Sequence, residues 1–413
     1  MEYQRHNSTN RFIPNQPNNT DIADFILKSF NEILEDPSFT PNELGKTYLI
    51  PNFEDATISK LLEQAYKRFC QLPPLVSIND DVIIVGDLHG SLLDLLRIFR
   101  ENGLPPSVSY VFLGDYVDRG NWSIEVVIIL IAMKVKFPKN IVLIRGNHEF
   151  ESICSKYGFK DQLESVYPKS SIFGKFIDLF GELPIACIVN KSIFCVHGGL
   201  SPLISNVKQI SLAPKPMQDN NVGHFKDLFW GDPSSKSPFF SESERNFSKD
   251  MHNFGQEATR DFLEKNNFTL LVRGHSYIEK GIEYHFNKMC ITLFSASSYS
   301  TNNVGNSAIL KVSSDLKIKK VIYPSIQRLE RDPMFFFNMK HPSNKNNSNL
   351  PALGGIKSTL SVRAPSQLII SNQFRIPLSR SLMKSSVGRF NLIGKIANPK
   401  TFAKDSENLD EIE

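Results

Sequence analysis

The chain has 413 residues, with 47 Lys and Arg against 43 Asp and Glu, a formal net charge of +4. Hydrophobic residues at 41% and charged residues at 22% are ordinary globular values, which excludes wholesale disorder. The five cysteines, Cys70, Cys154, Cys187, Cys195 and Cys290, include no CxxC pair, which excludes a zinc ribbon or disulfide scaffold and suits a reducing compartment.

The charge is unevenly spread. Residues 333–404 hold eleven Lys or Arg and no acid, and the last nine residues hold five acids. That leaves 36 basic and 38 acidic residues in positions 1–332, a net of −2. A near-neutral body is thus followed by a basic segment and an acidic tip.

The N-terminus has no apolar stretch of the kind a signal peptide needs. The longest apolar run, residues 126–133, has eight residues and is far short of a membrane span. The expected location is the cytoplasm, with the nucleus also open.

In chain order, residues 1–19 are rich in Asn and Pro and are expected to form a flexible N-terminal segment. Helical periodicity begins with Ile22, Phe25, Ile26, Phe30 and Ile33 on one face, and a second amphipathic helix is expected over residues 58–69. Short β-branched runs then recur at 82–85, 110–113, 141–144, 192–196, 269–272 and 291–294. Helical stretches at 92–99 and 124–136 lie between them. Strand, polar turn and helix in repetition predict an α/β sandwich, in which polar groups at strand C-ends converge on one crevice. The sheet pattern fades after Tyr323, and residues 326–413 are expected to be a largely disordered basic tail with an acidic tip.

The turns after these strands carry the chemistry. They read Gly86-Asp87-Leu88-His89-Gly90, Gly114-Asp115-Tyr116-Val117-Asp118-Arg119-Gly120, Gly146-Asn147-His148-Glu149, His197-Gly198-Gly199 and Arg273-Gly274-His275. Their N/O donors, without thiolates, suit Mn, Fe, Zn or Mg. A pair of divalent ions about 3.5–4 Å apart needs a bridging carboxylate, and Asp115 is the natural bridge. Arg119, four residues on, can fork onto phosphate oxygens. His148 can protonate a leaving oxygen if a carboxylate orients it, and Asp118 is the candidate orienter. His224, His252 and His285 follow no such turn and are assigned to solvent or ordinary packing.

At these residues the sequence resembles the PPP family of protein serine/threonine phosphatases, to which protein phosphatase 1 and calcineurin belong. GDLHG, GDYVDRG, RGNHE, HGGLSP, LFWGDP (228–233) and SASSY (295–299) carry the resemblance, which spans about residues 20–325 as a catalytic domain. It implies a metallophosphoesterase-type β-sandwich flanked by helices, with direct attack of a dinuclear-metal-bound hydroxide on phosphoserine or phosphothreonine. Asp87, His89 and Asp115 would hold one metal; Asp115, Asn147, His197 and His275 would hold the other. Manganese is the favoured ion. His148 with Asp118 would be the general acid, Arg119 and Asn147 would bind phosphate, and Tyr299 would close the site. Arg245 is named as the second phosphate-binding arginine, although it stands ten residues before Gly255 where the family spacing is seven. In the loop at 295–300, Ser298 and Ser300 replace the Asn and Cys of some members, which puts toxin sensitivity in doubt.

The resemblance also implies phosphoprotein substrates and regulatory or targeting subunits. The alternatives are a hydrolase of small phosphoesters or diadenosine polyphosphates, and a catalytically dead scaffold, which the complete ligand set argues against. The basic tail reads as a solvated extension or a docking or autoinhibitory segment. Nucleic acid is disfavoured because the tail's charges are spread thinly and no aromatic platform interleaves them.

Overall fold

A computed structural model describes residues 21–245, 250–300, 302–332 and 334–339. The flexible N-terminal segment expected over residues 1–19 and the tail from position 340 onward lie outside the described residues. Among those described there are fifteen strands: β1 (Ile50–Phe53), β2 (Leu75–Ile78), β3 (Val82–Val85), β4 (Ser109–Phe112), β5 (Ile141–Leu143), β6 (Ala186–Val189), β7 (Ile193–Val196), β8 (Phe240–Glu242), β9 (His252–Phe254), β10 (Leu270–Arg273), β11 (Ile282–His285), β12 (Cys290–Leu293), β13 (Ser307–Val312), β14 (Ile318–Tyr323) and β15 (Phe336–Met339).

Two sheets form the sandwich. One has the order β14-β13-β3-β4-β5 and the other β11-β12-β10-β7-β6-β2. Side-chain alternation with a period of two explains their apolar sequences, because both faces of each sheet are buried. Val82, Ile84, Val111, Leu113 and Val142 point inward and meet Ile193, Cys195, Leu270 and Val272 of the second sheet. Their neighbours Ile83, Val85, Tyr110, Phe112, Ile141 and Leu143 point outward into the helical layer. On the far side, Phe194, Val196 and Leu271 pack with Leu228, Phe229, Phe262 and Leu263.

The helices follow the same physics. Asp21 caps the first helix, Ile22–Ser29, by accepting from the Ala23 amide at 3.1 Å. The expected continuous helix through Ile33 is instead two, with Phe30 between them and Asn31–Glu35 following. Helix Ser123–Lys136 is buried all round except at its last residue, as an apolar helix at the centre of a layer must be. It contacts Ile22–Ser29, Asp55–Phe69 and Phe159–Val166.

The parallel pairs β3–β4, β4–β5 and β7–β10 place five strand C-ends on one side of the sandwich. Asp115 follows β4, whose sheet neighbours β3 and β5 lead into Asp87 and Asn147. The packed body runs beyond position 325. Residues 326–332 lie across the turn after β4, and β15 pairs with β1 in parallel, Ile50 opposite Phe336. That strap shows no periodicity because it is held by scattered side-chain bonds to backbone and to other side chains, which repeat at no fixed interval in its own sequence. No described helix is long and apolar enough to cross a membrane.

Candidate metal centre

Three of the five turns that supply donors are bent beyond what an ordinary residue prefers. His89, Asp115, Asp118, Arg119 and His275 have φ of 43°, 53°, 70°, 66° and 69°, all left-handed without being glycine. Such backbone costs free energy and persists where the surroundings over-determine it, typically at functional sites. Glycine is required where turns touch. Gly114 has φ 102°, and a Cβ there would lie 2.4 Å from the Gly146 amide nitrogen. A Cβ on Gly274 would lie 2.3 Å from Asp87 Oδ1.

The structure brings Asp87, His89, Asp115, Asn147, His197 and His275 together, all of them buried. His89 Nδ1 lies 2.9 Å from the Val117 carbonyl, so the proton belongs on Nδ1 and the lone pair on Nε2. That lone pair faces Asp115 Oδ2 at 3.4 Å and Asp87 Oδ2 at 3.8 Å. Burial holds His89 neutral by pulling its pKa down to about 3, so acceptors face one another here. His197 is anchored in the same way but charged differently. Its Nδ1 donates to the Leu113 carbonyl at 2.8 Å, and Nε2 lies 2.8 Å from Asn147 Oδ1 and 3.3 Å from Asp115 Oδ1. Although burial opposes it, the Asp115 carboxylate raises the imidazole to about 8. His275 Nδ1 reaches the same Asn147 oxygen at 2.9 Å.

Two buried atoms, Asp87 Oδ2 and His275 Nε2, have no hydrogen-bond partner at all. Burial pushes Asp87 up to about 7, with the Asp115 charge adding to it, and drives His275 well below its usual range. A buried cluster of carboxylates and imidazoles with orphaned atoms is what a cation resolves. Donor atoms of Asp115, His197 and His275 all lie within 4.8 Å of one another, as do those of Asp115, His89 and His148. The residues therefore fit divalent metal ions, with imidazole, carboxylate and amide donors and no thiolate.

Beside this cage stands a proton-handling pair. His148 Nδ1 lies 2.6 Å from Asp118 Oδ2, and Asp118 Oδ1 accepts from the Phe159 amide at 2.9 Å. Burial opposes the charged imidazole, yet the Asp115 charge and the Asp118 hydrogen bond raise His148 above its ordinary pKa. Arg119 stacks over Tyr157 at 4.2 Å and stands 6.0 Å from the Tyr299 ring. Tyr299 lies against His89, with ring centroids 4.9 Å apart, and stacks on Tyr277 at 5.8 Å.

Arg245 is at the rim. Its Nε donates to Asp232 at 2.6 Å and its Nη2 to Ser276 at 3.3 Å, one residue past His275. The four residues after it, 246–249, lie outside the described residues.

Sequence reasoning passed over several supports. Glu149 Oε2 accepts from the Asp115 and Gly146 amides at 2.9 and 2.8 Å, and Oε1 from the Tyr116 amide at 2.8 Å, splinting two ligand turns together. Arg273 donates to the Gly198 and Gly231 carbonyls at 2.7 and 3.0 Å and to Asp232 at 2.9 Å. Both sit inside motifs already singled out, so the signal was their position; their partners were invisible. His252 and His285 bond Asp227 at 3.1 Å and Thr292 at 2.9 Å, and neither joins the centre.

Residues 81–279 match the family model described as calcineurin-like phosphoesterase, an interval that contains every donor named above. Among solved structures, the chain is similar to a protein serine/threonine phosphatase from Saccharomyces cerevisiae with similarity to human phosphatase PP5. The two are 26% identical over 68% of this chain and 92% of that one, with a TM-score of 0.62. This likeness supports the PPP resemblance read from the motifs. A cold-active protein-tyrosine phosphatase of the psychrophile Shewanella sp. matches at 16% identity over 63% of this chain and 84% of that one, TM-score 0.42. A putative diadenosine tetraphosphatase matches at 17% identity over 61% and 99%, TM-score 0.36.

Proposed function

This chain carries a calcineurin-like metallophosphoesterase domain, and from that premise we propose that it hydrolyses phosphoserine and phosphothreonine in proteins. The observation that carries the reading is one juxtaposition. A buried cage of carboxylates and imidazoles with orphaned atoms lies beside an imidazole hydrogen-bonded to Asp118 and an arginine stacked on Tyr157. The likeness to the yeast serine/threonine phosphatase supports a protein substrate.

Asp87, His89 and Asp115 would hold one divalent ion, and Asp115, Asn147, His197 and His275 the second. When bound, such a pair supplies an acidified water and Lewis acidity toward the phosphoryl oxygens. The chain's own groups do the rest. Arg119, helped by Asn147 and Arg245, binds the non-bridging oxygens and fixes the phosphorus in line with the attacking water. Asp118 anchors His148 Nδ1–H and thereby aims Nε2–H at the leaving seryl or threonyl oxygen. Tyr299 covers the site from the loop after β12.

No phosphoenzyme is expected. Cys154, Cys187, Cys195 and Cys290 are buried, and burial raises each thiol above its normal pKa, so none is an activated nucleophile. Manganese is the proposed ion, with Fe, Zn and Mg also suited to the donors. Regulatory or targeting subunits, and a cytoplasmic or nuclear location, belong to the same proposal.

The test assays the full chain on a phosphopeptide and on diadenosine tetraphosphate, each with manganese. Hydrolysis of the phosphopeptide is the expected result. Turnover of the dinucleotide alone would overturn the protein-phosphatase reading.

A further inference from the structure

We propose that Arg328, on the strap that follows β14, is a positioning residue for Arg119. The inference rests on the reading of Arg119 as a phosphate-binding group. Asp118 and Arg119 are consecutive non-glycine residues in the left-handed region, so this turn relaxes unless both sides are tied. One tie is the Arg119 amide, which donates to the Tyr157 carbonyl at 3.1 Å. The other is the Arg119 carbonyl, which accepts from Arg328 Nη2 at 2.9 Å. The same nitrogen donates to Asn121 Oδ1 at 3.1 Å. Rotation of Arg119 out of its left-handed conformation breaks the second tie and carries the guanidinium off the Tyr157 ring.

The strap is itself well anchored. Trp122 Nε1 donates to the Leu329 carbonyl at 2.9 Å, and Asn121 Nδ2 reaches Glu330 at 2.8 Å. Arg331 grips Glu125 through two bonds of 2.9 and 2.8 Å, and its guanidinium lies over Trp122 and Phe336. At its other end, the Ile326 amide donates to Ser297 Oγ at 3.1 Å, two residues before Tyr299. Strap residues therefore touch both the turn that bears Arg119 and the loop that bears Tyr299. Among the described residues no carboxylate forms an ion pair with Arg119, so its guanidinium is held by aromatic stacking and backbone placement.

The experiment is a double-mutant cycle read by calorimetric titration of inorganic phosphate into the full-length, manganese-loaded chain. Arg328→Met is expected to weaken phosphate binding roughly tenfold, and Arg328→Lys to restore most of it. In an Arg119→Ala background, Arg328→Met should cause no further loss, because its effect acts through Arg119. Equal weakening in both backgrounds, or unchanged affinity in the Arg328→Met protein, would overturn the proposal. So would a wild-type chain that binds no phosphate. If Arg328→Met lowers the melting temperature sharply, Arg328→Gln, which keeps a donor without the charge, is read in the same cycle. A chain that passes this test yet leaves phosphopeptides intact would refute the protein-phosphatase reading and keep the clamp.

Discussion

His148 shows how much one residue depends on its neighbours. Alone it is an imidazole; with Asp118 on Nδ1 and Asp115 nearby it is raised toward the charged form. His148→Gln should therefore lower kcat by about 10²–10⁴-fold with unchanged metal content and melting temperature, measured on a phosphopeptide. Asp118→Asn should lose much of the same factor, and the double variant little more than either single one, because the two act as one unit. Asp115 contributes differently, facing both His89 and His197. Asp115→Asn should reduce bound metal measured by elemental analysis. Full occupancy in that variant would refute its bridging role. All these residues were legible because each stands in a short motif at a strand end. Glu149 was not, since its three amide partners come from two separate turns.

At the scale of elements, the strands were readable because both faces of each sheet are buried, which turns strands into uninterrupted apolar runs. β3 occurs at the expected residues, and β4, β5, β7, β10 and β12 within one or two positions. The edge strands β2, β11 and β14 carry exposed residues and were missed for that reason, whereas β6 and β13 were missed although they are buried inside their sheets. Turns set tolerances that strands do not. Gly274→Ala places a methyl group against Asp87 and should lower metal occupancy more than overall stability, checked by metal analysis beside a melting curve. Glu149→Gln leaves one amide without its acceptor and should cost about 1–3 kcal/mol in denaturant unfolding. A loss under about 0.5 kcal/mol would mean that the splint is redundant.

For the whole molecule, the charge split seen in the sequence separates a near-neutral body from the basic segment beyond it. Removal of residues 340–413 should leave the melting temperature and metal content unchanged, whereas truncation after Tyr323 removes the strap and β15. That second truncation should lower the melting temperature by at least about 5 °C and weaken phosphate binding. Equal melting temperatures for the two truncations would show that the strap adds nothing. Donor types, their turns and the reaction class were decided locally, because glycine turns and metal ligands are recognisable within a few residues. Which strand lies beside which, the buried carboxylate–imidazole cage, the Glu149 splint and the Arg328 tie were decided only by the fold. Each of those depends on groups that meet across tens to hundreds of residues, and separation along the chain leaves no mark on either partner's local sequence.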